Sequence, residues 1–171
     1  MDSMYPALSL DKIIKMLQDV FHVSISHKRL QVLQSKYVQK YSSTYKEIEK
    51  GLMGSTFIHA DETTGSVKDL STGYVWVFAN IDSALYMFKR NREADFLLDL
   101  LKNKEKLFTF IEYDGIPWNN NNNNAENAVK SFAYSRTLTK NQRKEKGMSD
   151  YLVWLSILQT CKYRGINFLE F

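Results

Sequence analysis

A single cysteine, Cys161, stands among 171 residues, so no intramolecular disulfide can form and a reducing compartment is expected. The three histidines, His22, His27 and His59, are scattered, and with one cysteine they make no zinc-ligand spacing. Long apolar runs are also missing. The most continuous, Tyr74 to Ala79, is far too short to cross a bilayer, and no basic n-region followed by an apolar h-region opens the chain. No membrane association and a cytoplasmic location are therefore expected. Charge of one sign is scarce: 23 Lys and Arg against 19 Asp and Glu give +4, which permits a polyanionic partner without demanding one. What is plentiful is core material, with 44% hydrophobic and 13% aromatic residues, which excludes wholesale disorder.

Helical spacing comes first along the chain. Leu10, Ile13, Ile14, Leu17 and Phe21 recur on one face after Ser9, a natural N-cap. After Ser26 a second helical pattern carries Leu30, Leu33, Tyr37, Tyr41, Tyr45, Ile48 and Leu52 to near Gly54. Two packed amphipathic helices explain these stripes. A helical arm that contacts DNA is the sharper alternative, since Lys28, Arg29, Lys36 and Lys40 lie on the polar side. The period then changes. Thr56–Asp61, Gly73–Asn80 and Ala84–Phe88 are rich in β-branched and aromatic residues, with a turn at Asn80–Ser83, and an antiparallel meander is the simplest arrangement. A helix is expected around Phe96, Leu97, Leu100 and Leu101, another from the asparagine run through Ala125, Val129, Phe132 and Ala133, and a last one from Ser149 to Tyr163, stopped by Gly165. Arg136 to Met148 reads as an exposed basic loop.

Three motifs add chemistry to this outline: His59-Ala60-Asp61-Glu62-Thr63; Gly115-Ile116-Pro117-Trp118 with Asn119 to Asn124 and then Ala125-Glu126-Asn127-Ala128; and the closing stretch Tyr151 to Gly165. In this order they resemble the insertion-sequence transposases of the IS66 type, over most of the chain from about residue 10. The resemblance implies an α+β fold: a partial RNase H-like core of at least three antiparallel strands, flanked by N- and C-terminal helices. Residues 1–54 would be an N-terminal helical region, and 55–171 a truncated core with its C-terminal helices. It also implies DNA transposition by metal-dependent phosphoryl transfer, with transposon-end DNA as partner. Asp61 matches the family's first catalytic aspartate and Glu126 its glutamate. Both would be catalytic and would ligate Mg²⁺ or Mn²⁺, hard cations that prefer carboxylate oxygens.

Read without the resemblance, Asp61 is a solvated strand-end acid and Glu126 a favourable charge in a first helical turn. Glu62 is a neighbour without a catalytic role, and Trp118 is a core anchor before it is a base-stacking platform. Lys130, Arg136, Lys140, Arg143, Lys144 and Lys146, against the single acid Glu145, are the candidate DNA-binding residues, neutralising backbone phosphates. Otherwise they form a solvated loop.

The departures from the family pattern matter as much. Its second aspartate, in a strand segment between the third strand and the final helices, is missing. Phe96–Leu101 runs straight into Lys102–Phe110, so an internal deletion is expected near Leu101–Asn103. Asp95, Asp99 and Asp114 lack strand-end context and are no replacements. The asparagine run is about two residues long for the family, and the region that recognises transposon ends is reduced. Metal binding should therefore be weak or lost and catalysis defective. The alternative is a non-catalytic DNA-binding protein, a regulatory partner of a full-length transposase.

Overall fold

The computed structural model describes residues 9–55, 58–68, 70–91, 127–133, 143–168 and 170. Among them are five helices and one three-stranded antiparallel sheet. The α+β expectation holds, and the arrangement is consistent with a partial RNase H-like core. The expected helix around Phe96–Leu101, the Lys102–Phe110 stretch, Trp118 and the asparagine run lie outside the described residues.

Helix α1 (Leu10–Phe21) starts where the sequence indicates, with Ser9 Oγ accepting the Lys12 N–H at 3.3 Å. The second pattern is not one helix. It divides at Tyr41 into α2 (His27–Lys40) and α3 (Ser42–Met53). Tyr41 has ψ 11°, and Ser42 Oγ donates to the Gln39 carbonyl at 2.8 Å. The run Ser42-Ser43-Thr44 supplies side chains that compete for backbone hydrogen bonds, which weakens a helix at that point. The break lets the two halves serve different partners. Tyr37 and Tyr41 meet Trp154 at ring-centroid distances of 6.0 and 5.8 Å, whereas Ile48 and Leu52 pack on the sheet beside Phe78 and Leu85.

The meander is as expected in order, β1 (His59–Val67), β2 (Leu70–Ala79), β3 (Ala84–Lys89), but its first hairpin is longer. The segment expected to separate two strands is itself paired, Thr63 with Val75 and Thr64 with Tyr74. Gly65 and Gly73 face each other in that hairpin because the Phe88 ring lies over them. A methyl on Gly73 would collide with that ring. Gly73→Ala is therefore expected to destabilise the fold by about 1–3 kcal/mol, the usual range for overpacking. A thermal melt checks it, and the loss should shrink in a Phe88→Leu background. The second turn is built by Asn80 Oδ1, which accepts the N–H groups of Asp82 and Ser83 at 3.0 and 2.7 Å.

Residues 127–133 form helix α4, whose Ala128 and Phe132 are buried against β2 and β3. Helix α5 (Glu145–Tyr163) begins earlier than the sequence indicates. The expected loop ends at Lys144 because Met148 is core, 3% exposed. Its C-terminus is as expected: Gly165 at φ 66° lets Ile166 N–H reach the Cys161 carbonyl at 2.8 Å and Gly165 N–H reach that of Lys162 at 3.2 Å.

Helix α5 lies along the β3 margin rather than flat on a sheet face. Leu152 and Leu155 join the core on one face, Ile157 and Cys161 that on the other. Between them Ser156 and Thr160 meet the margin itself. Ser156 Oγ accepts the Tyr86 N–H at 2.9 Å, and Thr160 Oγ1 accepts the Ala84 N–H at 3.1 Å while donating to the Ala84 carbonyl at 3.3 Å. Tyr45 of α3 donates to the Tyr86 carbonyl at 2.9 Å. Three hydroxyls thus satisfy four outward backbone groups of an edge strand, groups that would otherwise be buried without partners.

Candidate functional site

The register decides which residues share a face. His59, Asp61 and Thr63 of β1 stand opposite Ala79, Val77 and Val75 of β2, and Val77 stands opposite Tyr86 of β3. Side chains alternate along a strand, so this row lies on the face where Val75, Val77, Tyr86, Ala128 and Phe132 form one core. Asp61 is exposed at the rim of that face, on the strand that pairs on one side only among the described residues. Its Oδ1 accepts the Glu62 N–H at 2.7 Å. Glu62 falls on the opposite face, opposite Trp76. His59, two residues from Asp61 on the same face, is half-buried, and desolvation lowers its pKa, favouring the neutral ring.

Helix α4 crosses that face. The Tyr86 hydroxyl donates to the Ala128 carbonyl at 2.8 Å and is completely buried; burial, then the neighbouring Tyr163 and Tyr151, hold it well above the ordinary phenol range. The row Asp61, Val77, Tyr86 thus runs across all three strands, and its last member bonds the Ala128 carbonyl, two residues beyond position 126 in sequence. Glu126 itself lies outside the described residues, as do Arg136 and Lys140. Among the described residues no group of three or more His, Cys, Asp or Glu could hold a metal ion. Asp61 offers oxygen donors of the kind Mg²⁺ prefers, but a lone monocarboxylate leaves most of a coordination shell to other groups.

The basic candidates divide. Lys130 and Lys144 are exposed. Arg143 is not held out to solvent: its guanidinium lies 3.7 Å over the Tyr151 ring centroid, and burial works against its charge. Lys146 Nζ sits 2.9 Å from Asp150 Oδ2 and 3.1 Å from Ser35 Oγ, pinning α5 to α2. The acid that engages it stands four residues on, a spacing visible in the sequence. Likewise Glu145 forms a two-point ion pair with Arg90, at 2.9 and 2.6 Å. Ser156 and Thr160 carried a signal too, as hydroxyls one turn apart within an apolar helix.

Among the described residues no helix is long and apolar enough to cross a membrane. Compared with known families, the chain matches the profile described as Transposase IS66 family over residues 3–103, more than half its length. No curated protein and no solved structure matches it.

Proposed function

Because the chain belongs to the IS66 family of transposases, we propose that it is a transposition protein whose metal-dependent phosphoryl-transfer site is reduced to two carboxylates, Asp61 and Glu126. One observation carries the reading. The family match covers residues 3–103, and in this reading its end coincides with an internal deletion near Leu101–Asn103 that removes the block bearing the second aspartate. The helical region through residue 54 and the core from 55 onward belong to the same reading.

Two further features support Asp61 and Glu126 as the surviving pair. Asp61 lies at the rim of the face that α4 covers, and Glu126 is the sequence neighbour of the first described residue of α4, Asn127. A divalent cation held there would activate a nucleophile and stabilise the leaving oxygen of a phosphodiester. The chain's own part is to present strand-borne and helix-borne oxygens and to bind DNA. Lys130 and Lys144 suit backbone phosphates. Arg143 and Lys146 suit them less, because one guanidinium is stacked on Tyr151 and one amine is held between Asp150 and Ser35. Transposon ends are the DNA partner, with a full-length transposase as a second partner.

With two ligands in place of three, the cation site is weak. The purified chain with Mg²⁺ or Mn²⁺ and transposon-end DNA should give no strand cleavage, while residual Mn²⁺ binding, followed by electron paramagnetic resonance, should fall with Asp61→Ala. Cleavage that Asp61→Ala abolishes would show the site to be complete and the reading wrong.

A further inference from the structure

Between Asp19 and Glu47 the sequence has no acidic residue, yet it carries Lys28, Arg29, Lys36, Lys40 and Lys46. Helix α2 occupies the middle of this stretch. At about 100° per residue, Arg29, Lys36 and Lys40 fall within about 40° of one another around the axis, forming a ridge about 16 Å long. All three are exposed. Packed residues flank the ridge on both sides: Leu30, which is buried, and Tyr37, which meets Trp154, lie about 80–100° round the axis, and Ser35 about 120° the other way, so the ridge is held outward by packing. Ser35 fixes it further: its hydroxyl donates to Asp150 Oδ2 at 2.6 Å, and Lys146 closes the same cluster. That cluster neutralises Asp150, the acid of α5 that touches α2. A second acid that meets α2 among the described residues, Asp11, is paired with His27 at 2.7 Å, at the start of the helix and away from Lys36 and Lys40.

We propose that this ridge of α2 is where the protein carries the phosphate backbone of duplex DNA, with Arg29, Lys36 and Lys40 as the contacts. A duplex of the ridge's length carries about ten phosphates, enough to meet three cations in line. Nothing in the ridge reads base edges: two long flexible amines and one guanidinium on an exposed helix face give position rather than sequence. The inference rests on the transposition reading but moves the anchoring surface from the 130–146 segment to α2.

The test uses the full chain, a 30-base-pair duplex without transposon-end sequence, and fluorescence anisotropy across a salt series. Arg29→Gln/Lys36→Gln/Lys40→Gln is compared with Lys15→Gln/Lys50→Gln/Lys162→Gln, which removes the same charge from exposed positions elsewhere. Each phosphate contact contributes about 0.9 to the slope of log K against log salt, so the ridge variant should lose about 2.7 from that slope and on the order of 100-fold in affinity at low salt. Thermal melts of all three proteins should coincide. A ridge variant indistinguishable from the matched-charge control overturns the inference and leaves the transposition reading standing. A ridge variant that loses binding to phosphatidylserine vesicles while keeping its DNA affinity also overturns it. An unmodified chain that binds no duplex at any salt sinks both.

Discussion

Ser156→Ala combined with Thr160→Val should lower the thermal midpoint by roughly 5–20 °C. The argument starts from the Tyr86 and Ala84 N–H groups, which are buried at the β3 margin and bond to these two hydroxyls. Removing one partner while the other stays buried costs about 1–3 kcal/mol per group, more than the bond itself contributes, because a desolvated donor is left behind. Two such groups amount to about 2–6 kcal/mol, and in a chain of this size each kcal/mol shifts the midpoint by about 2–4 °C. The change in volume is small, so cavity formation is a minor part of the loss. Ser42→Ala supplies the contrast. It removes an exposed hydroxyl bond at the α2–α3 break and should change stability by no more than about 0.5 kcal/mol. Should the double variant melt like Ser42→Ala, the margin is not held by these hydroxyls. An unsealed edge strand also pairs with other chains, so light scattering of the double variant should rise with concentration.

Phe132→Ala should cost about 3–5 kcal/mol, the range for truncating a buried aromatic. Phe132 is 1% exposed, packs within the core of the Asp61 face and lies 6.5 Å from the Tyr151 ring centroid. It holds α4, together with the Tyr86 hydroxyl at Ala128. If Glu126 acts with Asp61, loosening α4 should also weaken Mn²⁺ binding several-fold at a temperature where the variant is still folded by circular dichroism. Phe132→Leu, which keeps much of the apolar volume, should restore most of both. A variant that loses stability but binds Mn²⁺ as before would separate α4 from the cation site.

The legible parts of this chain are those set by neighbours in sequence. Ser9 as cap, the strand order, the Asn80 turn and the Gly165 stop all depend on a few adjacent residues, and each is found where the pattern places it. The break at Tyr41 was hidden because the apolar stripe continues across it, although its two halves pack against different partners. In the sequence, the last helix shows one apolar stripe, Leu152, Leu155, Leu158 and Cys161. It is buried on two sides with Ser156, Gln159 and Thr160 inside, which no single-stripe pattern describes. The basic residues show the same divide: Arg143 and Lys146 look solvated in sequence, and only their long-range contacts to Tyr151 and Ser35 reveal otherwise. At the candidate site, resemblance named Asp61, but its face is a matter of register, which a shift of one residue would reverse.

Among the described residues the sheet is bounded by β3 on one flank and β1 on the other, and the β3 flank is finished. At Ala84 and Tyr86 every outward backbone group is occupied, so a newcomer strand finds no vacancy there. Among the described residues the opposite flank of the sheet is β1 itself. A segment that pairs with the outer side of β1, from this polypeptide or another, lies side by side with Asp61, so sheet extension and the proposed cation site share one strand.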